Sequence, residues 1–473
     1  MILDRSQRPL VSPTRLCIAA LAWLLWPGGW ASLRAQERPD ILFILTDDQT
    51  YTAVHSLGGQ EIETPNIDRL VARGTTFTHC FNMGSWSAAV CLPSRAMINS
   101  GRNLFEIVEP HDARRAARLE GVTPLWAEHF KNNGYATFGT GKWHNGVEAF
   151  TKSFTYGRKI LFGGMHDPGR GGHFEPELRE HAFAKLGDIR GFSTDIFADA
   201  ALGFLKSACE DETPFFCYLA FTAPHDPRHV PEKWSGAYDQ EKLTVPANFL
   251  PEHPFDQGHH EIRDEVLLPF PRTREQIRHE LALYYAMISH LDARVGDIVQ
   301  QLEKAGRLDR TLIVFASDHG LAIGRHGLLG KQNQYDHSVR APLIFAGPGV
   351  PAGERHDDLV YLHQIYATTC ELAGLPVPDS VQAGSLVPIM KGEAKGHESI
   401  FGAYIDFQRM VRTEKYKLIR YEKISRRQLF DMQADPLEMN DLSKDEKYTD
   451  VLEKMEAKLL HWQRELKDPL LEQ

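Results

Sequence analysis

Short apolar segments rich in strand-forming residues alternate with amphipathic helical segments along most of this 473-residue chain. Such alternation is typical of an α/β fold, in which a large, mainly parallel sheet is flanked by helices. Five strand-like segments stand out, at 41–46, 135–140, 214–222, 311–316 and 341–347. The first four run into charged or imidazole-bearing residues, whereas the fifth does not. Because ligand sites in open α/β sheets form at the carboxyl ends of the strands, we expect the four polar strand ends to meet at one site.

Three carboxylates stand at two of these strand ends. Asp47 and Asp48 follow the first segment, and Asp318 and His319 lie just beyond the fourth. Carboxylates brought close together repel each other unless a cation lies between them. Oxygen ligands favour a hard divalent ion, Ca²⁺ or Mg²⁺, over zinc. The pattern therefore predicts a metal site, at which His319 is either a ligand or a hydrogen-bond partner of the substrate.

Basic side chains lie near the same strand ends, namely Arg95, Lys142, His144, His225 and Lys331. A metal ion surrounded by cationic donors suits a tetrahedral oxyanion, so we expect a phosphate or sulfate ester as substrate. The formal net charge of −10 disfavours nonspecific binding to nucleic acid. An anionic substrate must therefore be met by this local basic pocket.

Cys91 lies in the stretch VCLPSRAMINSG, which reads as the start of a helix with Pro93 in its first turn. The side chain would then face the positive end of the helix, where an attack on an anion is favoured. The ordinary alternative for a single cysteine is a buried thiol.

Taken together, these motifs resemble the sulfatase family, the formylglycine-dependent type I sulfatases of the alkaline-phosphatase-like superfamily, and among them the bacterial glycan sulfatases. The resemblance spans nearly the whole chain after residue 35, through RPDILFILTDDQ, TPNIDRL, VCLPSRAMINSGR, GYATFGTGKWH, SDHGLAIGRHGLLGK and the tail beginning YKLIRYEK. It implies that Cys91 is oxidised to formylglycine by a formylglycine-generating enzyme, and that calcium is the usual metal. The positions matching the metal site are Asp47, Asp48, Cys91, Asp318 and His319.

The resemblance also implies roles for the basic residues. Arg95 matches the arginine that steadies the formylglycine hydrate. Lys142, His225 and Lys331 match residues that hold the sulfate and assist the departing oxygen. His144 matches the base that helps to release sulfate. The small residues around Cys91 leave room for the modifying enzyme to reach the unfolded segment.

Three long polar loops, 103–121, 163–181 and 253–273, are expected to select the substrate. Their Arg, His and Asp residues suit a sulfated carbohydrate, with an aryl or choline sulfate as the alternative. A phosphate or phosphonate ester hydrolase on the same scaffold is a second alternative, although no second set of metal ligands is evident. A non-catalytic glycan-binding relative should have lost Cys91 or a metal carboxylate, and neither is missing.

Residues 1–35 have the layout of a secretory signal peptide, with arginines before an apolar run and a Leu33-x-Ala35 cleavage site. The apolar run is too short and too interrupted to predict a stable membrane span, although an uncleaved anchor is an alternative. We therefore expect an exported protein. Its catalytic α/β domain is expected at 36–395 and a C-terminal subdomain, a small antiparallel sheet with a helix, at 396–473. No oligomeric state is predicted.

Removal of residues 1–35 takes away four arginines and one aspartate, so the formal charge changes from −10 to −13. Five cysteines remain, and an odd number leaves at least one unpaired. If Cys91 is that one, Cys80, Cys209, Cys217 and Cys370 are free to pair with one another, and the sequence does not decide whether they do.

Overall fold

The computed structural model describes residues 38–108, 119, 121–164, 177–179, 182–184 and 190–471. The predicted signal peptide lies outside the described residues, as do most of the predicted recognition loops 103–121 and 163–181. Loop 253–273 is described throughout.

Strands and helices alternate over this part of the chain. The strands are β1 (Asp40–Thr46), β2 (Thr75–Phe81), β3 (Gly84–Ser85), β4 (Ala136–Lys142), β5 (Tyr156–Leu161), β6 (Glu177–Arg179), β7 (Ala182–Ala184), β8 (Phe215–Ala220), β9 (Thr311–Ser317), β10 (Arg340–Ala341), β11 (Leu343–Ala346), β12 (Glu354–Tyr361), β13 (Ser399–Tyr404), β14 (Gln408–Thr413), β15 (Tyr416–Tyr421) and β16 (Arg426–Asp431). The helices are α1 (Pro65–Arg73), α2 (Cys91–Ser100), α3 (Leu104–Ile107), α4 (Trp126–Asn132), α5 (Val147–Ser153), α6 (Ser193–Ala208), α7 (Arg274–Lys304), α8 (Asp336–Val339), α9 (Ile365–Leu372), α10 (Val387–Met390) and α11 (Thr449–Glu465).

Within the described residues, eleven strands form one large sheet in the order β10-β2-β11-β9-β1-β8-β4-β5-β6-β7, with β12 paired to β2. The central strands β9, β1, β8, β4 and β5 are parallel neighbours. Four of them are the strands whose ends carry the predicted site. Their carboxyl ends therefore meet at one edge of the sheet, and the predicted α/β fold is confirmed.

Both faces of the sheet are buried, as expected for parallel strands covered by helices. Along β1, Ile41, Phe43 and Leu45 face one apolar cluster, which includes Trp126 of α4. The alternate residues Leu42 and Ile44 face a second cluster. The site at the carboxyl end of β1 is thus supported by packed side chains on both faces.

The smaller sheet has the order β16-β15-β14-β13-β3, and α11 packs against it. Its pairs are antiparallel except for β3, which pairs in parallel with β13. Gly84 has a φ of 95°, and a Cβ there would lie 1.9 Å from the carbonyl oxygen of Ala403, so this close approach requires glycine. The small sheet therefore fixes the segment that leads to Cys91. The predicted boundary at 395/396 stays a prediction, since the described residues from Arg38 onward form one compact unit.

Cys80, Cys91, Cys209, Cys217 and Cys370 are all free thiols in the structure. None of the helices in the described part has the length and apolar character needed to cross a bilayer.

Candidate active site

The predicted site residues lie close together at the carboxyl ends of four parallel strands. Asp47 and Asp48 follow β1, Lys142 is the last residue of β4, His225 lies beyond β8, and Asp318 follows β9. All five side chains are buried. The register explains why they meet, since β1 pairs with β8 and β9 on its two sides and β4 pairs with β8.

Cys91 is the first residue of α2 and is buried. Its Sγ lies 3.4 Å from Nδ1 of His144 and 3.5 Å from Nζ of Lys142. Burial opposes ionisation of the thiol, but the charge of Lys142 and the contacts with His144 and His319 hold the pKa of Cys91 well below its usual value. Cys91 is therefore buried, as the ordinary interpretation expects. It also has cationic neighbours, as the functional interpretation expects.

Asp47, Cys91, Asp318 and His319 place ligand atoms within 4.8 Å of one another. Oδ1 of Asp47 and Nε2 of His319 are buried, and neither has a hydrogen-bond partner. Nδ1 of His319 lies 2.9 Å from the carbonyl oxygen of Gly320, to which it donates, so Nε2 is the free ligand atom. Buried carboxylate and imidazole atoms without hydrogen-bond partners fit a bound cation, which would replace the proton on Nε2 of His319. The donor set is rich in carboxylate oxygen, which suits a hard divalent ion.

The pKa values of the acidic and imidazole groups at this site are strongly shifted. Burial raises the pKa of Asp318 to about 6. Although burial alone would lower it, the carboxylates of Asp318 and Asp48 raise the pKa of His319 to about 9. Burial would raise the pKa of Asp47, but the cations of Lys142 and Arg95 hold it well below its usual range. These shifts come from burial and from the carboxylates and cations gathered at one buried point, where a divalent cation would replace the proton on His319.

Three fixed cations neutralise the carboxylates. Nζ of Lys142 lies 2.5 Å from Oδ2 of Asp47. Nε of Arg95 lies 3.0 Å from Oδ2 of Asp318. Nζ of Lys331 lies 2.8 and 2.9 Å from the two carboxylate oxygens of Asp48. Lys331 also lines the cavity described below, and Nζ of Lys142 lies 3.5 Å from Sγ of Cys91.

Asp48, His225 and Asp226 form a second group of ligand-type residues. Each carboxylate in it already has a cationic partner, since Lys331 binds Asp48 and the Arg263 guanidinium binds Asp226. Nδ1 of His225 donates to the carbonyl oxygen of Asp226 at 2.7 Å, so its Nε2 is directed at Asp48, 3.8 Å away. The residue types would allow a second metal ion, but both carboxylates are already neutralised by these ion pairs. Asp48 thus lies between the two groups, with Oδ1 3.2 Å from Nε2 of His319.

Two of the predicted site residues have left-handed backbones, which are uncommon for residues other than glycine. Asp48 has a φ of 71° and His144 a φ of 63°. Such conformations cost of the order of 1–3 kcal/mol and persist where the surrounding contacts hold them. Gly141 (φ 86°) precedes Lys142, and a Cβ there would lie 1.8 Å from the carbonyl oxygen of Ala220, so β4 can approach β8 closely only with glycine.

Four of the predicted site residues, Cys91, His144, His225 and Lys331, line a cavity of about 410 Å³, called the cleft below. Its wall consists of Ala88, Ala89, Cys91, His144, Gly164, His225, Ile262, Arg263, Asp264, Lys331 and Gln332. The pKa of Asp264 is lowered to about 2, although burial alone would raise it. The groups that lower it are Lys331, Gln332, His225 and Arg263. This carboxylate is therefore ionised at neutral pH.

The sequence alone did not identify Asp226, Arg263, Asp264 or Gln332 as site residues. Asp226 directly follows a predicted site histidine, which is a usable signal. Arg263 and Asp264 come from the irregular loop 253–273, and no spacing in the sequence connects them to the strand ends.

His326 and His337, which flank Lys331 in the sequence, stack on Tyr335 with ring centroids 4.0 and 5.6 Å away. Burial lowers the pKa of both imidazoles, that of His326 to about 3. They are neutral packing residues.

Comparisons with known proteins agree with this site. The Sulfatase family profile matches residues 39–375, and the profile of the N-sulphoglucosamine sulphohydrolase C-terminal domain matches residues 324–465. An N-acetylglucosamine-6-O-sulfatase of Bacteroides thetaiotaomicron is 25% identical over 91% of this chain and 87% of its own length. A choline-sulfatase of Rhizobium meliloti is 29% identical over 86% of this chain and 82% of its own.

A solved structure of a protein in complex with its substrate D-glucosamine-2-N,6-O-disulfate has a TM-score of 0.76 and 25% identity, covering 91% of this chain and 98% of that one. A phosphonate monoester hydrolase of Agrobacterium radiobacter shares the fold, with a TM-score of 0.71 at 22% identity over 91% of this chain and 96% of its own. The predicted family and the predicted enzyme class are confirmed. The chain belongs to the sulfatase family of sulfuric ester hydrolases.

Proposed function

We propose that this sulfatase releases sulfate from a sulfated carbohydrate, using a formylglycine made from Cys91 and one bound divalent cation, Ca²⁺ or Mg²⁺. The observation that carries the proposal is the charge balance of the cleft. The buried or cleft-lining carboxylates are Asp47, Asp48, Asp226, Asp264 and Asp318, and the cations paired with them or facing them are Arg95, Lys142, Arg263 and Lys331. Counted without the histidines, these groups leave one carboxylate in excess. A divalent cation would turn this excess into one positive charge, to which a protonated His225 would add, so the cleft suits the sulfate monoester anion.

Carbohydrate is favoured as the carrier of the sulfate because relatives with a named sugar substrate cover most of the chain. These are the N-acetylglucosamine-6-O-sulfatase and the protein with bound D-glucosamine-2-N,6-O-disulfate. The choline-sulfatase relative favours a small sulfate ester as the second candidate. The polar loop 253–273, which supplies Ile262, Arg263 and Asp264 to the cleft, suits the hydroxyl groups of a sugar.

The lysines and Arg95 neutralise the anion. Lys142 and Lys331 lie in or beside the cavity wall with their ammonium groups held by Asp47 and Asp48, so they can donate to sulfate oxygens without moving. Arg95 is fully buried between Asp318 and the carbonyl oxygen of Lys142, which fixes the backbone next to the nucleophile position. We assign Lys142 and Lys331 to the sulfate and Arg95 to residue 91.

The two histidines are assigned to proton transfer. Because Nδ1 of His225 keeps its proton in the hydrogen bond to the carbonyl oxygen of Asp226, Nε2 holds a second proton in the imidazolium form. This is the proton that the departing alcohol oxygen takes up. Nδ1 of His144 faces position 91 at 3.4 Å and can accept a proton from a group there.

Formylglycine at position 91 would supply, through its hydrate, an oxygen nucleophile that a thiol cannot replace. A divalent cation held by Asp47, Asp318 and His319, with Asp48 beside them, would supply Lewis acidity toward the ester oxygens.

The test is sulfate release by protein co-expressed with a formylglycine-generating enzyme. The substrates are sulfated mono- and disaccharides, choline sulfate, 4-nitrophenyl sulfate and a phosphonate monoester. We expect turnover of a sulfated sugar, thiol-to-aldehyde conversion in the peptide containing Cys91, and loss of both in Cys91→Ala. Cys209→Ala, which removes a thiol outside the cleft, is the matched control. Full activity with unconverted Cys91, or a clear preference for the phosphonate, would contradict the proposal.

We also propose that residues 1–35 direct export and are then removed. The arginine-led apolar run and the Leu33-x-Ala35 site support this. N-terminal sequencing of the protein from a periplasmic or secreted fraction should begin near Gln36. Retention in the cytoplasm with an intact N-terminus would contradict it.

A further inference from the structure

A second and larger cavity, about 790 Å³, adjoins the cleft. Ala88 and Ile262 belong to the walls of both cavities, so the two spaces are neighbours. The rest of the wall comes from the segment 252–261. Its volume lies within the range of about 300–1,000 Å³ typical of small-molecule sites. The mechanism described above uses none of it.

The wall is held in shape by contacts with other parts of the fold. Nδ1 of His259 lies 2.6 Å from the hydroxyl of Tyr404, at the end of β13. The ring of His260 stacks on Phe270 with centroids 4.5 Å apart. Nδ1 of His253 donates to the carbonyl oxygen of Phe255 at 2.7 Å. The cavity is thus a built feature, joined to the small sheet through Tyr404.

The ionisable groups of the wall are mostly negative. Glu252, Asp256 and Glu261 are exposed carboxylates, and the described lining residues include no lysine or arginine. Burial lowers the pKa of His253 to about 4 and also lowers that of His259, so both are neutral at pH 7. Among the described residues, two guanidiniums lie near the wall. That of Arg426 is 4.0 Å from the ring centroid of Phe255, and that of Arg272 is already paired with Glu265. Nε2 of His260 lies 3.4 Å from a carboxylate oxygen of Glu252. The three carboxylates therefore outnumber the two cationic partners left to them, Arg426 and His260.

We propose that this cavity binds the sugar unit next to the sulfated one and admits that unit only when it carries no sulfate. The proposal rests on the proposed function and specifies its substrate as a glycan with an uncharged neighbouring unit. Carboxylates accept hydrogen bonds from sugar hydroxyls, and imidazoles both donate and accept them. Phe255, which is partly buried, offers an apolar surface to a pyranose ring.

A sulfate on the neighbouring unit would face three like charges. Like-charge juxtaposition at an interface is a recognised source of specificity, since it penalises the wrong ligand more than it helps the right one. Exposed charges are screened over about 8 Å at physiological ionic strength. The discrimination should therefore shrink as salt is added, which a steric mechanism would not do.

The experiment compares two N-acetylglucosamine disaccharides, one sulfated on the terminal unit alone and one sulfated on both units, with 4-nitrophenyl sulfate as a probe of the cleft alone. We expect kcat/KM to be at least about tenfold higher for the singly sulfated disaccharide. In the Glu252→Gln/Asp256→Asn variant, this preference should fall at least about fivefold, because the amides still accept hydrogen bonds but no longer repel sulfate. Turnover of 4-nitrophenyl sulfate should be unchanged. Glu393→Gln, at an exposed position outside both cavities, should behave as wild type.

Equal kcat/KM for the two disaccharides, or a preference that neither salt nor the double variant reduces, would overturn the proposal. Binding of the unsulfated disaccharide, followed by saturation-transfer NMR, tests the cavity without turnover, and no transfer would overturn it as well. Failure of the proposed function itself has a different signature, in which the converted enzyme hydrolyses none of the three sulfate esters.

Discussion

Glu265 is expected to control the position of Lys331, although it does not reach the cleft. The buried carboxylate accepts hydrogen bonds from the backbone N–H groups of Leu329 at 2.9 Å and Gly330 at 2.8 Å. Its Oε2 also lies 2.8 Å from Nη2 of Arg272, another buried side chain. Gly330 directly precedes Lys331, so this anchor fixes the turn from which the lysine reaches Asp48. We therefore treat Glu265 as a positioning residue.

The cost of removing the anchor follows from its contacts. Truncating one partner of a buried ion pair typically costs about 3–5 kcal/mol, because the other charge stays buried without a partner. Two backbone N–H groups would also lose their acceptor, at about 1–3 kcal/mol each if they stay dry. This is a large part of a total stability of about 5–15 kcal/mol. A displacement of the lysine by about 1 Å is enough to lower the rate about a hundredfold.

Glu265→Ala should therefore lower both the midpoint of urea unfolding and kcat/KM toward the sulfated substrate, whereas Glu275→Gln, an exposed glutamate at the start of α7, should change neither. The double variant Glu265→Leu/Arg272→Met separates the two effects. It removes the unpaired charge, so stability should recover in part, but the N–H groups still lack an acceptor, so kcat/KM should stay low. Wild-type kcat/KM in Glu265→Ala, or full recovery in the double variant, would refute the assignment of Glu265 to Lys331.

Three further predictions follow from the same contacts. Purified protein should hold one divalent ion per chain by elemental analysis, Asp318→Asn should lose it, and Asp226→Asn, in the second group, should keep it; two ions per chain would contradict this. Lys331→Ala should lower kcat/KM by about a hundred- to a thousandfold, as removal of a preorganised donor does, and a fall below about threefold would exclude it from the sulfate. Burial lowers the pKa of His363 from 6.5 to about 3, so between these values the unfolded chain binds one more proton than the folded chain. The contribution of His363 to folding stability is thus fully present above about pH 6.5 and is lost as the pH falls toward 3. In His363→Asn, the slope of the unfolding free energy against pH should fall by about one proton over this range. The exposed His461→Asn should leave the slope unchanged.

The central sheet could be predicted from the sequence because each parallel strand is recognisable from its own residues. Each of the four central segments is apolar on both faces, short, and followed by polar residues, and these features need no knowledge of the partner strands. The rule that sites form at carboxyl strand ends then brought Asp47, Lys142, His225 and Asp318 together. Their relative order in the sheet, β9-β1-β8-β4, was not needed for that conclusion.

Other features depend on contacts that no local pattern records. The anchor at Glu265 joins three segments of the chain, since its partners are Arg272 and the N–H groups of residues 329 and 330. The parallel pairing of β3 with β13 bridges about three hundred residues and rests on a two-residue strand. The left-handed backbones of Asp48 and His144 contradict local preference and are held by tertiary contacts. These are properties of the folded site that emerge only once the sheet has assembled.

Fixed cations stand where a second metal ion would bind in this cleft. Asp48, His225 and Asp226 have the residue types of a second metal site, yet Lys331 pairs with Asp48 and Arg263 pairs with Asp226. Together these two side chains supply the same positive charge as one divalent ion, so the net charge of the cleft is the same either way. The chemistry offered to the substrate differs, because the ammonium of Lys331, held within 2.9 Å of both Asp48 oxygens, is a hydrogen-bond donor and a metal is not. A lysine and an arginine in place of a second metal therefore offer directional donors to the ester oxygens instead of open coordination positions.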